Sequence, residues 1–328
     1  MKEIAQGFKD LHISQKKQDI LVGVLAGGIS CERAVSLKTG RNIIDSLSAS
    51  GYSAIFIDPG QDGFIEKIKK IDIAFLALHG KYGEDGTVQG LLELLKVPYT
   101  GSGVLSSALL MDKTLSKKIM VKENIPTPEF FELLDQDLPG LVKDTDRRIR
   151  NGMGYPVVVK PNSSGSTIGI SKVVDKAGLG SGIREAFTYD WRIMVEDYIS
   201  GRELTVGVIG QDPVALPVIE IIPRSGFFDY ESKYTKNMTE YIVPAKIGKG
   251  LTERIMGLSL TCHQLFGCCG VSRTDFILDG DGTPYVLELN TMPGMTSTSL
   301  VPMAAEAAGI GFHRLVEIIL DSADLKIR

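Results

Sequence analysis

The first hundred residues alternate short apolar runs with helix-like stretches, and this restricts the chain to a parallel α/β start. Ile20–Leu25 reads ILVGVL and runs into Ala26-Gly27-Gly28, the pattern of a buried strand ending in a tight turn. Ser30 is placed to cap a helix from Glu32 to Ala49, closed by Gly51. Ala54–Ile57 is a second strand, a short helix follows, and Ile73–Leu78 is a third strand. Leucine spacing predicts a helix over Thr87–Leu95. Ligands of such sheets sit beyond the carboxyl ends of the strands, where Glu32 and His79 fall.

The later part of the chain reads differently. Prolines and charges cluster over Pro126–Gly154. Beyond them, Tyr155–Lys160 is a strand, Ile168–Val173 its hairpin partner, and Arg192–Asp197 a third strand of a small separate sheet. Strands then dominate: Leu204–Ile209, Val214–Ile222, Val271–Leu278 and Pro284–Leu289. Helices fill Leu251–Phe266 and Leu300–Ala323.

Bulk properties narrow the function classes. The 328 residues suffice for two or three domains with their own cores. A net charge of −4 provides no electrostatic footprint for nucleic acid or an anionic membrane. No apolar run reaches the roughly 18 residues that span a bilayer. The polar segment Met1–Asp19 lacks the apolar core of a signal peptide, so a cytoplasmic location is expected. Cys31, Cys262, Cys268 and Cys269 then read as reduced thiols. The spacing C-x5-C-C fits no zinc pattern and lies on a predicted apolar helix.

Four constellations carry chemistry. Lys160 ends an apolar strand beside the turn Pro161–Thr167, whose backbone N–H groups can form an anion site. Two acidic residues, Glu196 and Glu203, flank a turn and can accept from an exocyclic amine and from ribose hydroxyls. Arg273 and Asp275 share one face of a strand, as do Glu288 and Asn290 on the next. Such oxygen ligands suit Mg²⁺ together with nucleotide phosphates. Pro293-Gly294 makes a tight turn before Ser297, Thr298 and Ser299, which precede an apolar helix whose N-terminus suits a carboxylate. Taken singly, each also fits a blander reading: an edge lysine, solvated turn charges, a surface ion-pair network, ordinary N-caps.

Their order along one chain is more specific. Lys113, Lys160, the Glu196–Glu203 stretch, Asp275, Glu288 and Asn290 together resemble the ATP-grasp superfamily. The segments GGISCERAVSL, LHGKYGEDGTVQG, DKTLSK, KPNSSGSTIGISKV, YESKY and LELNTMPGMTSTSLVP resemble the D-alanine–D-alanine ligase family, from Ile20 to about Asp321. The resemblance implies an N-terminal parallel α/β domain over residues 1–112. A two-lobed ATP-grasp fold of α+β type would follow, with a central lobe over 113–202 and a C-terminal lobe over 203–328.

Further roles come from the same resemblance. It implies ligation of two D-alanines through a D-alanyl phosphate, for peptidoglycan precursors, in a homodimer. Lys113, Lys160 and Ser166 would hold ATP phosphates. Glu196 and the backbone at Tyr198 and Ile199 would hold adenine, and Glu203 ribose. Asp275, Glu288 and Asn290 would bind two Mg²⁺, with Mn²⁺ a possible substitute. Glu32 would anchor the first ammonium, with His79 beside that substrate's carboxyl group. Arg273 and the Gly294 N–H would form an oxyanion hole. Lys233, Ser299 and the Leu300 backbone would receive the second carboxylate. Tyr234 and Ser166 would link with Glu32 and close a lid loop over the site, for which Phe227–Met238 is the candidate. A departure from the family is Ser163-Ser164, where charged residues are common, so that loop's grip on phosphate is expected to rest on backbone N–H groups.

Three other readings compete. Ligases making D-alanyl-D-lactate or D-alanyl-D-serine share the ATP site; Tyr234 favours the dipeptide. A non-catalytic nucleotide module is disfavoured by Arg273, Asp275, Glu288 and Asn290 standing together. A nicotinamide-dependent oxidoreductase is disfavoured because Gly23–Gly28 lacks G-x-G-x-x-G.

Overall fold

The computed structural model describes residues 17–134, 138–165, 167–224, 238–296 and 298–327. Its N-terminal sheet has the order β2-β1-β3, with β1 (Leu21–Leu25), β2 (Ser53–Ile57) and β3 (Ile73–Leu76) all parallel. Val22, Val24 and Leu25 are fully buried, as expected for a strand covered on both faces. Helix α1 (Arg33–Ala49) packs against this sheet, and α2 (Phe64–Ile68) and α3 (Thr87–Leu95) follow β2 and β3. Gly51, at φ 88°, supplies the left-handed residue that ends α1. Ser30 is not the N-cap; Glu32 holds that position, and the Ser30 hydroxyl instead donates to His79 O at 2.6 Å and accepts from Glu32 N at 3.2 Å. β3 stops at Leu76 rather than Leu78, so Ala77–His79 are released into the site loop.

Two helices, α4 (Val104–Met111) and α5 (Lys113–Lys122), lead to a four-stranded antiparallel sheet of order β4-β7-β5-β6. It comprises β4 (Phe130–Leu134), β5 (Val157–Pro161), β6 (Ser171–Val173) and β7 (Arg192–Asp197). Helices α6 (Leu138–Asn151) and α7 (Lys176–Phe187) cover it around Ile149, Leu179 and Ile183. The stretch Pro126–Gly154, where prolines and charges cluster, holds β4 and α6.

The third sheet is antiparallel, β11-β10-β8-β12-β13, with β9 paired to β8. Its strands are β8 (Gly201–Gly210), β9 (Val214–Ala215), β10 (Ile219–Pro223), β11 (Thr239–Ile242), β12 (Gly270–Asp279) and β13 (Pro284–Asn290). The single strand expected over Val214–Ile222 breaks around Pro217, which cannot donate to a ladder. Helix α8 (Lys249–Leu265) ends before Cys268 and Cys269, which follow it rather than lie on it. The expected helix Leu300–Ala323 is two, α9 (Leu300–Ala307) and α10 (Phe312–Asp321), separated at Gly309 with φ 84°. Ile43 and Leu47 of α1 share a core with Leu315, Ile318 and Ile319 of α10, joining the first sheet to the third. The mixed architecture is a parallel α/β unit followed by two antiparallel lobes, as expected. No helix among the described residues is long and apolar enough to cross a membrane.

Helix α1 sets the position of Glu32, and its approach to the sheet depends on Gly40. A Cβ there would lie 2.4 Å from the Ala26 Cβ, a short side chain that cannot turn aside. Gly40→Ala should therefore cost about 1–3 kcal/mol by overpacking; urea unfolding with an unchanged midpoint would contradict the packing.

Candidate active site

Two clefts open between the lobes, and they meet at Arg273, Glu288 and Leu300. The first lies between the middle and large sheets. Val158 and Ile170 form one wall, Ile277 and Leu287 the other. Lys113, Lys160, Glu196, Tyr198, Ile199, Glu203, Asp275 and Glu288 also line it. An apolar slot with lysines at one end suits a flat heteroaromatic base and a polyanion. The second cleft is lined by Glu32, His79, Glu84, Gly165, Asn290, Gly294 and Ser299.

Strands β12 and β13 build the junction. Their pairing slips by one residue, so that Asp275 faces Glu288 while Phe276 faces Val286. Leu287 is the extra residue of this bulge. Without the slip, Leu287 and Leu289 would stand opposite Asp275 and Arg273, since Tyr285 pairs with Ile277. With it, Glu288 and Asn290 do. The Arg273 guanidinium grips Asp275 bidentately, Nε to Oδ1 at 2.8 Å and Nη2 to Oδ2 at 2.7 Å. Thr205 Oγ1 donates to Oδ1 at 2.6 Å and Asn290 Nδ2 to Oδ2 at 3.1 Å. Burial disfavours charge on Arg273, but Asp275, Glu288 and Glu84 outweigh it and raise its pKa.

The lysines come from two elements. Asp112 caps α5 by accepting from Leu115 N at 2.9 Å, and Thr114 N donates to Asn162 Oδ1 at 2.9 Å. These bonds fix Lys113, whose Nζ reaches Ser164 O at 2.7 Å and Glu288 Oε2 at 3.5 Å. Lys160 Nζ donates to Glu196 Oε2 at 2.7 Å. Glu196 Oε1 accepts from Lys117, a residue the sequence reading left without a role. Burial pushes the Glu196 carboxyl up, but the two lysines together hold it below its usual value. Burial pulls Lys117 down to about 8. Ser163 N donates to Asp190 Oδ2 at 2.7 Å, so this N–H of the loop is engaged away from any phosphate. Tyr198 N likewise donates to Pro156 O at 3.3 Å.

In the second cleft Glu32 is pressed between two loops. A Cβ on Gly80 or on Gly165 would stand 2.9 Å from its Oε2. His79 is buried with Nε2 3.5 Å from Thr39 Oγ1, and burial lowers its pKa against the pull of Glu32. Ser299 occupies the N-cap of α9 without capping it; its Oγ accepts from Thr296 N at 3.0 Å. The N-terminal end of α9 therefore faces the cleft without a side-chain cap. Gly294 lies against this hydroxyl, a Cβ there standing 3.0 Å from Ser299 Oγ. Ser166, Lys233 and Tyr234, and the lid segment apart from Met238, lie outside the described residues.

Comparison with known proteins bears on this arrangement. A model of the D-ala D-ala ligase C-terminus matches residues 119–321, and one of the D-ala D-ala ligase N-terminus matches residues 58–102. The chain belongs to the D-alanine–D-alanine ligase family. A D-alanine–D-alanine ligase of Pelotomaculum thermopropionicum is 47% identical over 92% of this chain and 96% of its own. The structure of a Bacillus anthracis D-alanine–D-alanine ligase complexed with ATP superimposes with a TM-score of 0.77 at 41% identity, covering 92% of this chain and 96% of that one. A D-Ala:D-Ser ligase from Enterococcus faecalis, VanG, has a TM-score of 0.79 at 30% identity, covering 92% and 98%.

Asp275, Glu288 and Asn290 form a donor set that fits a hard cation. Two carboxylates and an amide stand on paired strands, a set matching Mg²⁺ that keeps waters and phosphate oxygens in its shell. The described residues hold no cluster of three or more His, Cys, Asp and Glu for a softer metal.

Glu84, inside the segment LHGKYGEDGTVQG, is a further member of the site that the sequence does not single out. Gly80 N donates to Glu84 Oε2 at 2.6 Å, and burial, with the charge of Glu32, pushes its carboxyl up to about 8. Its spacing in H-G-K-Y-G-E, five residues after a strand-end histidine, was the available signal. The unfolded chain releases this proton near 4.5 and the folded one near 8. Between those values the folded state binds the extra proton, so its stabilising effect is whole below 4.5 and is lost as pH rises towards 8. Glu84→Gln, which mimics the protonated group, should gain thermal stability over the wild type between pH 5 and pH 8. A difference in Tm that does not change with pH would contradict this.

Proposed function

We propose that the chain joins two D-alanine molecules into D-alanyl-D-alanine, converting ATP to ADP and phosphate, for peptidoglycan precursor synthesis. Family membership supports the reaction. The observation that carries the assignment of roles is the meeting of a nucleotide-shaped cleft and an acidic, glycine-walled cleft at Arg273 and Glu288.

A carboxylate is a poor electrophile, and phosphorylation gives it a leaving group. In our reading Lys113, Lys160 and Ser166 hold the phosphates; Glu196, Tyr198 and Ile199 hold adenine; and Glu203 holds ribose. Asp275, Glu288 and Asn290 would hold two Mg²⁺, or Mn²⁺, which would supply positive charge beside the phosphates. Glu32 receives the first ammonium, and His79 borders its carboxylate. That carboxylate takes the γ-phosphoryl group, forming an acyl phosphate as the bond to ADP breaks. The second amine attacks the acyl carbon, the bond from that carbon to phosphate oxygen breaks, and the departing phosphate takes up the proton that the nitrogen loses. Arg273 and the Gly294 N–H bind the developing oxyanion in this reading. Lys233, Ser299 and the Leu300 N–H take the second carboxylate, consistent with the uncapped start of α9. Tyr234 and Ser166 join Glu32 under a lid that excludes water from the acyl phosphate.

The same proposal divides the chain at residues 1–112, 113–202 and 203–328, supported by the span of each sheet, although β8 already begins at Gly201. It includes homodimer assembly and a cytoplasmic location.

The test is phosphate release and product mass with D-alanine, L-alanine, or D-alanine plus D-lactate or D-serine. Release with D-alanine alone and a dialanine mass is expected; release only with another pair would overturn the substrate. Arg273→Ala should lower kcat by about 10²–10³, with ATP affinity within about tenfold. Activity retained within tenfold would remove Arg273 from the oxyanion site. Glu32→Gln should raise the KM for the first D-alanine more than that for ATP.

A further inference from the structure

Lys117, buried behind the nucleotide cleft, carries a charge that the proposed mechanism does not use. Its side chain is 0% exposed, so it cannot touch a ligand. It lies one turn after Lys113 on the same face of α5. Its ammonium donates to Glu196 Oε1 and to Thr127 Oγ1 and stands 5.3 Å from the centre of the Phe130 ring. Thr127 in turn donates to Val286 O at 2.7 Å, which ties the arrangement to β13. Glu196 is itself 3% exposed and holds Lys160 with its other oxygen.

Buried charges are costly unless paired, and one lysine would suffice to neutralise Glu196. The second makes the cluster Lys117–Glu196–Lys160 cationic overall. Lys160 and Glu196 line the cleft, and Lys160 is the cation among them that a phosphate can reach. The geometry points to Lys117 as a positioning residue: it supplies the counter-charge for Glu196, so that Lys160 presents a full positive charge to the nucleotide phosphates. This rests on the nucleotide reading of the cleft and gives it a part that does not contact the ligand.

Without Lys117, Glu196 and Lys160 form a neutral pair, and the cleft loses its hold on the polyanion but not on the base. Folding should persist, because Glu196 keeps one partner. Calorimetric affinities for ATP and for adenosine separate the two effects. Lys117→Met should weaken ATP at least tenfold and leave adenosine within about threefold. Lys117→Gln, which keeps the hydrogen bonds without the charge, should behave likewise and serves if the methionine variant does not fold. Lys117→Met combined with Glu196→Gln restores the net charge carried by Lys160 and should return the ATP-to-adenosine affinity ratio to near the wild-type value. Equal losses for both ligands, or a ratio in the double variant as low as in Lys117→Met, would make Lys117 merely structural and overturn the inference. Wild-type protein that binds no ATP would instead remove the nucleotide reading itself, and this inference with it.

Discussion

Across β12 and β13, Asp275 faces Glu288 and Arg273 faces Asn290 because the pairing slips by one residue beside them. A strand has a side-chain period of two, so a slip of one exchanges its faces. The bulge at Leu287 uses this rule locally: below it β13 presents Tyr285 with Ile277, and above it Glu288 and Asn290 with the charged residues of β12. Four polar groups thereby stand on one side of a sheet whose other side is packed with Phe276, Val286 and Leu289. The bidentate grip of Arg273 on Asp275 is possible only because they are two apart on a single strand. The two clefts meet where this face is polar.

The charges of the site sort by depth. Lysines and Glu196 form a paired group under the nucleotide cleft, where each carboxylate oxygen meets an ammonium. On the substrate side Glu32, Glu84 and His79 lie close together, and the raised Glu84 and lowered His79 both reduce the charge that must be buried there. The cationic side suits phosphates, and the acidic side suits an ammonium. Arg273 stands at the border, where charge would pass from one substrate to the other.

Much of this was readable from the chain. Apolar runs such as Ile20–Leu25 and Tyr155–Lys160 announce strands because both faces are buried, and the order of Lys113, Lys160, Asp275 and Glu288 announces the cleft. Other parts were hidden for physical reasons. In α6, Leu141, Thr145 and Ile149 keep helical spacing, but Pro139, Gly140 and the charges around them obscure it in the sequence. Helix α7 buries Leu179, Ile183 and Ala186 through a glycine-rich segment. The bulge leaves no mark in the alternation of Leu287–Asn290, since it changes register rather than residue type. Nothing in DKTLSK sets Lys117 apart from a surface lysine; only the docking of α5 against Glu196 makes it a buried ion.

A last feature concerns the edge of the first sheet. Tyr99 pairs with Ala74 of β3 on one side and with Asp324 on the other. Lys326 N adds a bond of 2.7 Å to Glu93, 233 residues away in sequence. Closing so long a loop has an entropic cost that must be met before the contact stabilises anything, which sets this seam among the slow steps of folding. Until it forms, the β3 side of the sheet is open to pairing with another chain, the usual hazard of an unguarded strand. The residues after α10 thus act as an edge guard, and concentration during refolding decides whether they or a neighbouring molecule arrive first.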